Sequence, residues 1–199
     1  MPATLPTIDE YLSALPNAEA SHPECCVKAS LIRNALADKP LGRDVPLPPA
    51  VRALVDAPPP VSVWIPEVHF NVVMHGIRDW HFGGRREDFV SWVYSQNRKL
   101  FSTTLYRAIF LVVSPERLLV NMEKRWGSLR CGSELTHHRF AANDLELCVR
   151  TPPNLYSTPV AEGMSNAVRA AIDSAGAEQS TVEHRIVSAT DVRFRARWK

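Results

Sequence analysis

Apolar residues recur at helical spacing through the middle of the chain. In residues 66–83, Phe70, Val73 and Ile77 lie three or four positions apart, and two glycines end the segment. This spacing predicts an amphipathic helix with one buried face. Further helices with similar spacing are predicted over residues 86–101, 103–113, 114–125 and 158–176.

The first 60 residues have a different character, because they contain 11 of the 16 prolines. Proline interrupts regular structure, so only short elements are expected. Thr7 and Glu10 fit a capping box at the start of a short helix that ends near Leu15. Other short elements are predicted at residues 25–28 (strand), 29–37 (helix) and 46–57 (helix). We predict a proline-rich N-terminal arm or subdomain, residues 1–60, packed on a core domain, residues 61–199.

After Trp126 the apolar period changes from helical spacing to alternation. Strands are predicted over residues 134–140, 145–150, 181–187 and 192–198. Helices first, then two strands, a helix and two strands, indicate an α+β fold. We expect a helical layer packed on an antiparallel sheet of about four strands, with the other face of the sheet in solvent.

Four basic residues alternate with apolar ones in the last predicted strand: Arg193, Arg195, Arg197 and Lys199. One interpretation is an edge strand that its charges protect from aggregation. The alternative is a surface that contacts phosphates or acidic lipids.

Composition removes several classes of function. The 23 Lys and Arg residues against 21 Asp and Glu give a net charge of +2, which disfavours dedicated nucleic-acid binding. The longest apolar run, residues 108–113, is far shorter than the roughly 20 residues of a membrane span. The first ten residues do not resemble a signal peptide. The four cysteines lack CxxC spacing, so reduced thiols and a cytoplasmic location are expected.

The histidines do not have the spacing of a metal site. His69, His75 and His81 are six residues apart on one predicted helix, so they point in different directions. His137 and His138 are adjacent on a strand and face opposite sides. Motifs of nucleophilic, nucleotide-binding and metalloprotease sites are missing as well. We therefore expect no metal and no cofactor, and a non-catalytic protein is favoured over an enzyme.

Aromatic side chains on the predicted helices suggest a binding cavity between the helical layer and the sheet. Candidate ligand contacts combine apolar area with polar tips, and they are Tyr94, Tyr106, Trp126, His137 and Arg139. The alternative interpretation is an ordinary aromatic core, with His137 and Arg139 in solvent.

Four short motifs, in this order and spacing, carry a family resemblance. They are Val27 to Ser30, Trp64 to Pro66, Leu105 to Leu119, and Val182 to Trp198. Over residues 26–198 the chain resembles a paralogous family of myxobacterial proteins of unknown function, which is similar to 4-vinyl-reductase-type domains. The resemblance implies helices against an antiparallel sheet, together with hydrophobic ligand binding, sensing and dimerisation. Related domains often carry cysteines after the histidine that matches His184, whereas residues 188–191 contain none.

These observations favour a small-molecule binding or sensory module for a hydrophobic ligand. The alternative is a structural or protein-interaction module without a ligand, which would contact a second copy of the chain, in a homodimer, or another protein. A cavity of roughly 300 Å³ or more with convergent polar groups would favour the first. A filled core beside an exposed apolar patch would favour the second.

Overall fold

The computed structural model describes residues 5–103, 110 and 112–199. Seven α-helices and two antiparallel sheets lie within these residues, which confirms the α+β class. In chain order the helices are α1 (Pro6–Ser13), α2 (Ala29–Asp38), α3 (Pro49–Asp56), α4 (Glu67–Phe82), α5 (Arg86–Phe101), α6 (Pro115–Arg125) and α7 (Thr158–Ser174). The strands are β1 (Cys26–Lys28), β2 (Trp64–Pro66), β3 (Arg130–Cys131), β4 (Glu134–Ala141), β5 (Asp144–Arg150), β6 (Thr181–Ser188) and β7 (Asp191–Arg197).

Local signals placed the helix ends well, with one exception. Ser114 caps α6 as predicted, and its Oγ accepts a hydrogen bond from the backbone N–H of Arg117. The capping box predicted for α1 is wrong, because Leu5 is the N-cap and makes no side-chain cap. The backbone N–H of Thr7 donates instead to Asp79 Oδ2 at 3.0 Å, so a tertiary partner takes the place of the local one. The helix predicted over residues 103–113 lies largely outside the described residues.

A small sheet joins three distant parts of the chain. Strand β1 is its centre, with Val27 opposite Ile65 of β2 and Cys26 opposite Cys131 of β3. The two outer strands have only three and two residues, too short for alternation to predict. The sheet holds β3 near the start of α4.

The larger sheet has the order β4-β5-β7-β6. One face of this sheet is apolar and buried, with cross-strand pairs such as Leu147 opposite Phe194. Two helices contact the sheet: α6 contacts β4, and α7 contacts β6. The edge-strand interpretation of the basic residues is wrong, since β7 lies inside the sheet. Strand β7 buries three apolar side chains and β6 buries none, so β7 takes the interior position.

The arginines of β7 lie on the opposite face, beside acidic residues. Arg195 makes two hydrogen bonds to Asp144, at 2.9 and 2.8 Å. Arg193 forms an ion pair with Glu146, and Arg197 with Glu183. These cations are therefore neutralised within the sheet.

The first 60 residues share the core of the rest of the molecule. Ile8 of α1, Ile32 of α2 and Val51 of α3 are fully buried or nearly so, in the same apolar cluster as Val72 of α4. The arm therefore packs on the remainder of the chain. The domain boundary at residue 60 stays a prediction.

Candidate functional site

A cavity of about 160 Å³ lies inside the helical layer, among α2, α4, α5 and α7. Its walls are mainly apolar, and they include Leu31, Phe70, Met74, Phe89, Val93 and Met164. Small residues leave the space open. A Cβ added to Gly163 of α7 would lie 3.8 Å from Phe89 on the facing wall. A larger side chain at this position would therefore occupy part of the cavity.

Asn71 of α4 is a buried polar residue that lines this cavity. Its Nδ2 donates to Tyr11 Oη and to the backbone oxygen of Leu155, both at 3.0 Å. Because a carbonyl oxygen can only accept, these bonds fix which branch of the amide is nitrogen. The other branch, Oδ1, is buried without a hydrogen-bond partner among the described residues.

Arg130 of β3 also lines the cavity, and a buried ion pair neutralises its charge. Its partner is Glu67, the first residue of α4, which has no exposed surface. Three aromatic rings surround the guanidinium at 5.3–5.9 Å and belong to Phe70, Trp126 and Tyr156. Burial raises the pKa of Tyr156 to about 12, so its hydroxyl stays protonated. Oε2 of Glu67 and Oη of Tyr156 have no partner in the part of the chain described.

The other end of the cavity is polar and more exposed. Here Gln96 of α5 donates from Nε2 to the backbone oxygen of Asn34 in α2, at 2.6 Å. Asn97 also lines this end and donates to the carbonyl of Val93 within its own helix. The cavity thus has a buried end at Asn71 and Arg130 and a rim at Asn34 and Gln96.

The four predicted ligand contacts that lie within the described residues do not converge on this cavity. Tyr94 donates to Asp173 Oδ2 at 2.7 Å, and His137 bonds Glu123. Arg139 is paired with Glu116 at 2.8 Å on the sheet side of α6. Trp126 is buried and touches the site only indirectly, through Arg130.

Tyr106 lies outside the described residues. The cavity itself lies among helices rather than between helices and the larger sheet, and among the described residues no strand of that sheet contributes to its lining. A role for the five candidates in ligand contact stays a prediction.

Sequence reasoning missed the polar side of α4. A polar residue recurs at every fourth position of α4, among buried residues that are largely apolar. The four polar residues are Glu67, Asn71, His75 and Asp79. Spacing of four keeps residues on nearly the same face, and each of the four has a buried atom without a hydrogen-bond partner among the described residues. A polar stripe on the buried face was the available signal.

A second cavity, of about 250 Å³, lies at the start of α7 and contains a histidine–serine pair. Nε2 of His75 is 2.9 Å from Oγ of Ser157. Burial lowers the pKa of His75 to about 3, which makes the imidazole a poor general base near neutral pH. Nδ1 has no partner in the described chain to orient it. The pair acts as a part-buried hydrogen bond between α4 and the α7 N-cap.

Neither a metal-binding cluster nor a membrane-spanning helix lies within the described residues. No group of three or more His, Cys, Asp or Glu side chains within the described ranges is placed to hold a metal ion. None of the helices described is both long enough and apolar enough to span a bilayer.

The architecture matches that of H-NOX proteins. The Fe(II) unliganded H-NOX protein from K. algicida has a TM-score of 0.55 at 10% identity, over 86% of this chain and 96% of that chain. An H-NOX protein from S. oneidensis in the Fe(II)NO ligation state has a TM-score of 0.54 at 10% identity, over 86% and 99%. A structure from work on heme distortion in the H-NOX family has a TM-score of 0.55 at 11% identity, over 86% and 92%.

No protein-family model and no curated protein matches the sequence. At such low identity, the likeness to solved structures establishes the H-NOX-like fold alone. The resemblance to 4-vinyl-reductase-type domains stays a prediction.

The cavity does not fit a heme. Pockets for drug-sized ligands have about 300–1,000 Å³, and the cavity has about 160 Å³. Proteins hold heme iron with histidine, cysteine, methionine or tyrosine. The described lining offers the thioethers of Met74 and Met164 but neither a histidine nor a cysteine. Heme therefore takes no part in what we propose for this chain.

Proposed function

We propose that this chain is a non-catalytic small-molecule binding module of the sensory type, and that its ligand occupies the cavity among α2, α4, α5 and α7. The observation that carries the proposal is the apolar cavity of about 160 Å³ with the buried Asn71 among its lining residues. Apolar walls with a few placed polar groups are typical of small-ligand sites. The H-NOX-like fold adds support at the level of the scaffold alone, because one similar structure is described in the Fe(II)NO ligation state and that ligand is held at an iron that the cavity of this chain does not fit.

The cavity volume restricts the ligand. An engineered apolar cavity of about 150 Å³ stays dry and binds benzene, so the ligand should be about as large as one aromatic ring. The cavity is below the volume of roughly 300 Å³ that would by itself favour ligand binding, so the proposal is restricted to small ligands. A protein-interaction module without a ligand remains the second candidate, and the same experiment separates the two.

The test is the thermal stability of the purified protein with benzene-sized apolar compounds, benzene and toluene among them. A ligand at 100 times its Kd should add about 2.7 kcal/mol to the free energy of unfolding. For a domain of this size, that gain raises the Tm by roughly 5–10 °C. No shift with any compound would favour the interaction module.

Two glycine variants locate the binding site. Gly163→Leu should fill the cavity and weaken binding at least tenfold. Gly127→Leu is the matched control, because a Cβ there meets nothing within 4 Å. Binding that survives Gly163→Leu unchanged would place the ligand elsewhere and contradict the proposal.

A further inference from the structure

Asn71 is a residue of the cavity lining, and only the acceptor of its amide is unpaired among the described residues. Both Nδ2 hydrogens are used, on Tyr11 Oη and the Leu155 carbonyl, neither of which lines the cavity. Oδ1 is buried and has no hydrogen-bond partner among the described residues. A buried acceptor left unpaired is unfavourable, so a ligand that donates a hydrogen bond here gains affinity. A ligand with only an acceptor gains nothing from Asn71.

The walls favour an aromatic ring. Phe70 and Phe89 present rings, and Met74 and Met164 present thioethers, which contact aromatic rings favourably. The volume of about 160 Å³ admits a single ring with a small substituent.

Charge in the lining disfavours an anionic ligand. Arg130 is the cation among the described lining residues, and Glu67 already neutralises it in a buried ion pair. A carboxylate would therefore leave water without meeting an unpaired cation, which is strongly unfavourable. Because the described lining residues include no carboxylate either, a cation would also be unpaired, and the ligand should be neutral.

From these three features we infer that the ligand is a neutral, single-ring aromatic molecule with one hydrogen-bond donor, of the phenol type, whose donor points at Asn71 Oδ1. This inference rests on the proposed function, since it concerns the same cavity. It adds the ligand's chemical class and assigns Asn71 as the residue that determines specificity.

The experiment compares phenol with toluene, which has the same shape but no donor. Calorimetry gives the Kd of each compound for the natural protein, for Asn71→Leu and for Asn166→Leu. Asn166 is the matched control, because its side chain bonds the Glu162 carbonyl of its own helix and does not line the cavity.

Asn71→Leu should weaken phenol binding by at least tenfold, because the buried hydroxyl loses its acceptor, and should change toluene binding less than about threefold. Asn166→Leu should leave both affinities within about threefold. Equal losses for phenol and toluene in Asn71→Leu, or no loss for phenol, would overturn the inference. So would a natural protein that binds toluene and not phenol.

A second measurement does not depend on the stability of the variant. In the natural protein, NMR of asparagine-labelled side-chain amides should show that phenol shifts the Asn71 signals much more than toluene does. Equal shifts would overturn the inference. If no compound of the panel binds the natural protein, phenol and toluene included, the proposed function fails. If toluene binds and phenol does not, only the assignment of the donor fails.

Discussion

Loss of one partner of the buried ion pair between Glu67 and Arg130 should strongly lower the free energy of unfolding. Both residues are buried, with 0% and 8% of their surface exposed, and they join the start of α4 to β3. Arg130→Met removes the cation and leaves the Glu67 carboxylate buried and alone. Breaking a buried ion pair from one side costs about 3–5 kcal/mol. This is a large part of the 5–15 kcal/mol that stabilises a typical domain.

The second half of the test restores neutrality. Replacing a buried ion pair with uncharged residues of similar volume is often neutral or stabilising. Adding Glu67→Gln to Arg130→Met should therefore recover most of the lost stability. Arg85→Met is the control, since Arg85 and its partner Asp88 are both exposed, and exposed pairs contribute little.

Urea unfolding followed by circular dichroism gives the free energy of unfolding of each variant, provided that the m-value is unchanged. The reasoning fails if Arg130→Met loses less than about 1 kcal/mol. It also fails if the double variant is no more stable than the single one, because the cause would then not be the uncompensated carboxylate.

Three further predictions concern other parts of the fold. Burial lowers the pKa of His75 to about 3 from 6.5, so the unfolded chain binds more protons, and the free energy of unfolding should fall by about 2 kcal/mol from pH 7 to pH 5. His75→Gln should remove this part of the pH dependence, whereas replacement of the exposed His138 by Gln should not. Parallel curves of unfolding free energy against pH for His75→Gln and the natural protein would contradict the pKa shift. Gly132→Ala should lower the free energy of unfolding in urea by several kcal/mol, because φ is +75° and the added Cβ would lie 2.6 Å from a sulfur. Gly176→Ala is the control, with φ +91° in open space, and should lower it by about 1–2 kcal/mol. Equal losses in the two variants would argue against the close contact at Gly132. Val168→Asp places an unpaired charge at a side chain that is 3% exposed and should cost several kcal/mol; an unchanged thermal midpoint would show that α7 is not docked as described.

Helices could be predicted well from the sequence because their signals are local. The bounds of α5, residues 86–101, were predicted from apolar spacing alone. Ser114 and Pro115 fixed the start of α6. A cap failed only at Thr7, where a partner 72 positions away competes for the backbone N–H.

Strand order could not be predicted in the same way. Alternation in residues 192–196 shows which side chains face the core, and that part was correct. Alternation does not show which strands are neighbours, since pairing depends on contacts across many residues. The interior position of β7 between β5 and β6 therefore appears only in the structure.

The site was hard to predict for a related reason. The polar stripe that contains Glu67 and Asn71 is visible in the sequence once α4 is placed. Its partners are not visible, because Arg130 and Leu155 lie 63 and 84 positions away. Aromatic residues with polar tips stand out in the sequence, but some of them, such as Tyr94, have hydrogen-bond partners outside the cavity.

The likeness in fold to H-NOX proteins and the misfit of the cavity to heme have separate physical causes. A fold depends on the pattern of apolar positions, and this pattern tolerates sequence identity as low as 10%. What a cavity binds depends on a few residues, and here Gly163 sets the space while Asn71 and Arg130 set the polarity. Because a neutralised arginine and a lone amide acceptor would not select the same ligand as an iron site, the chemistry of this chain has to be derived from its own lining.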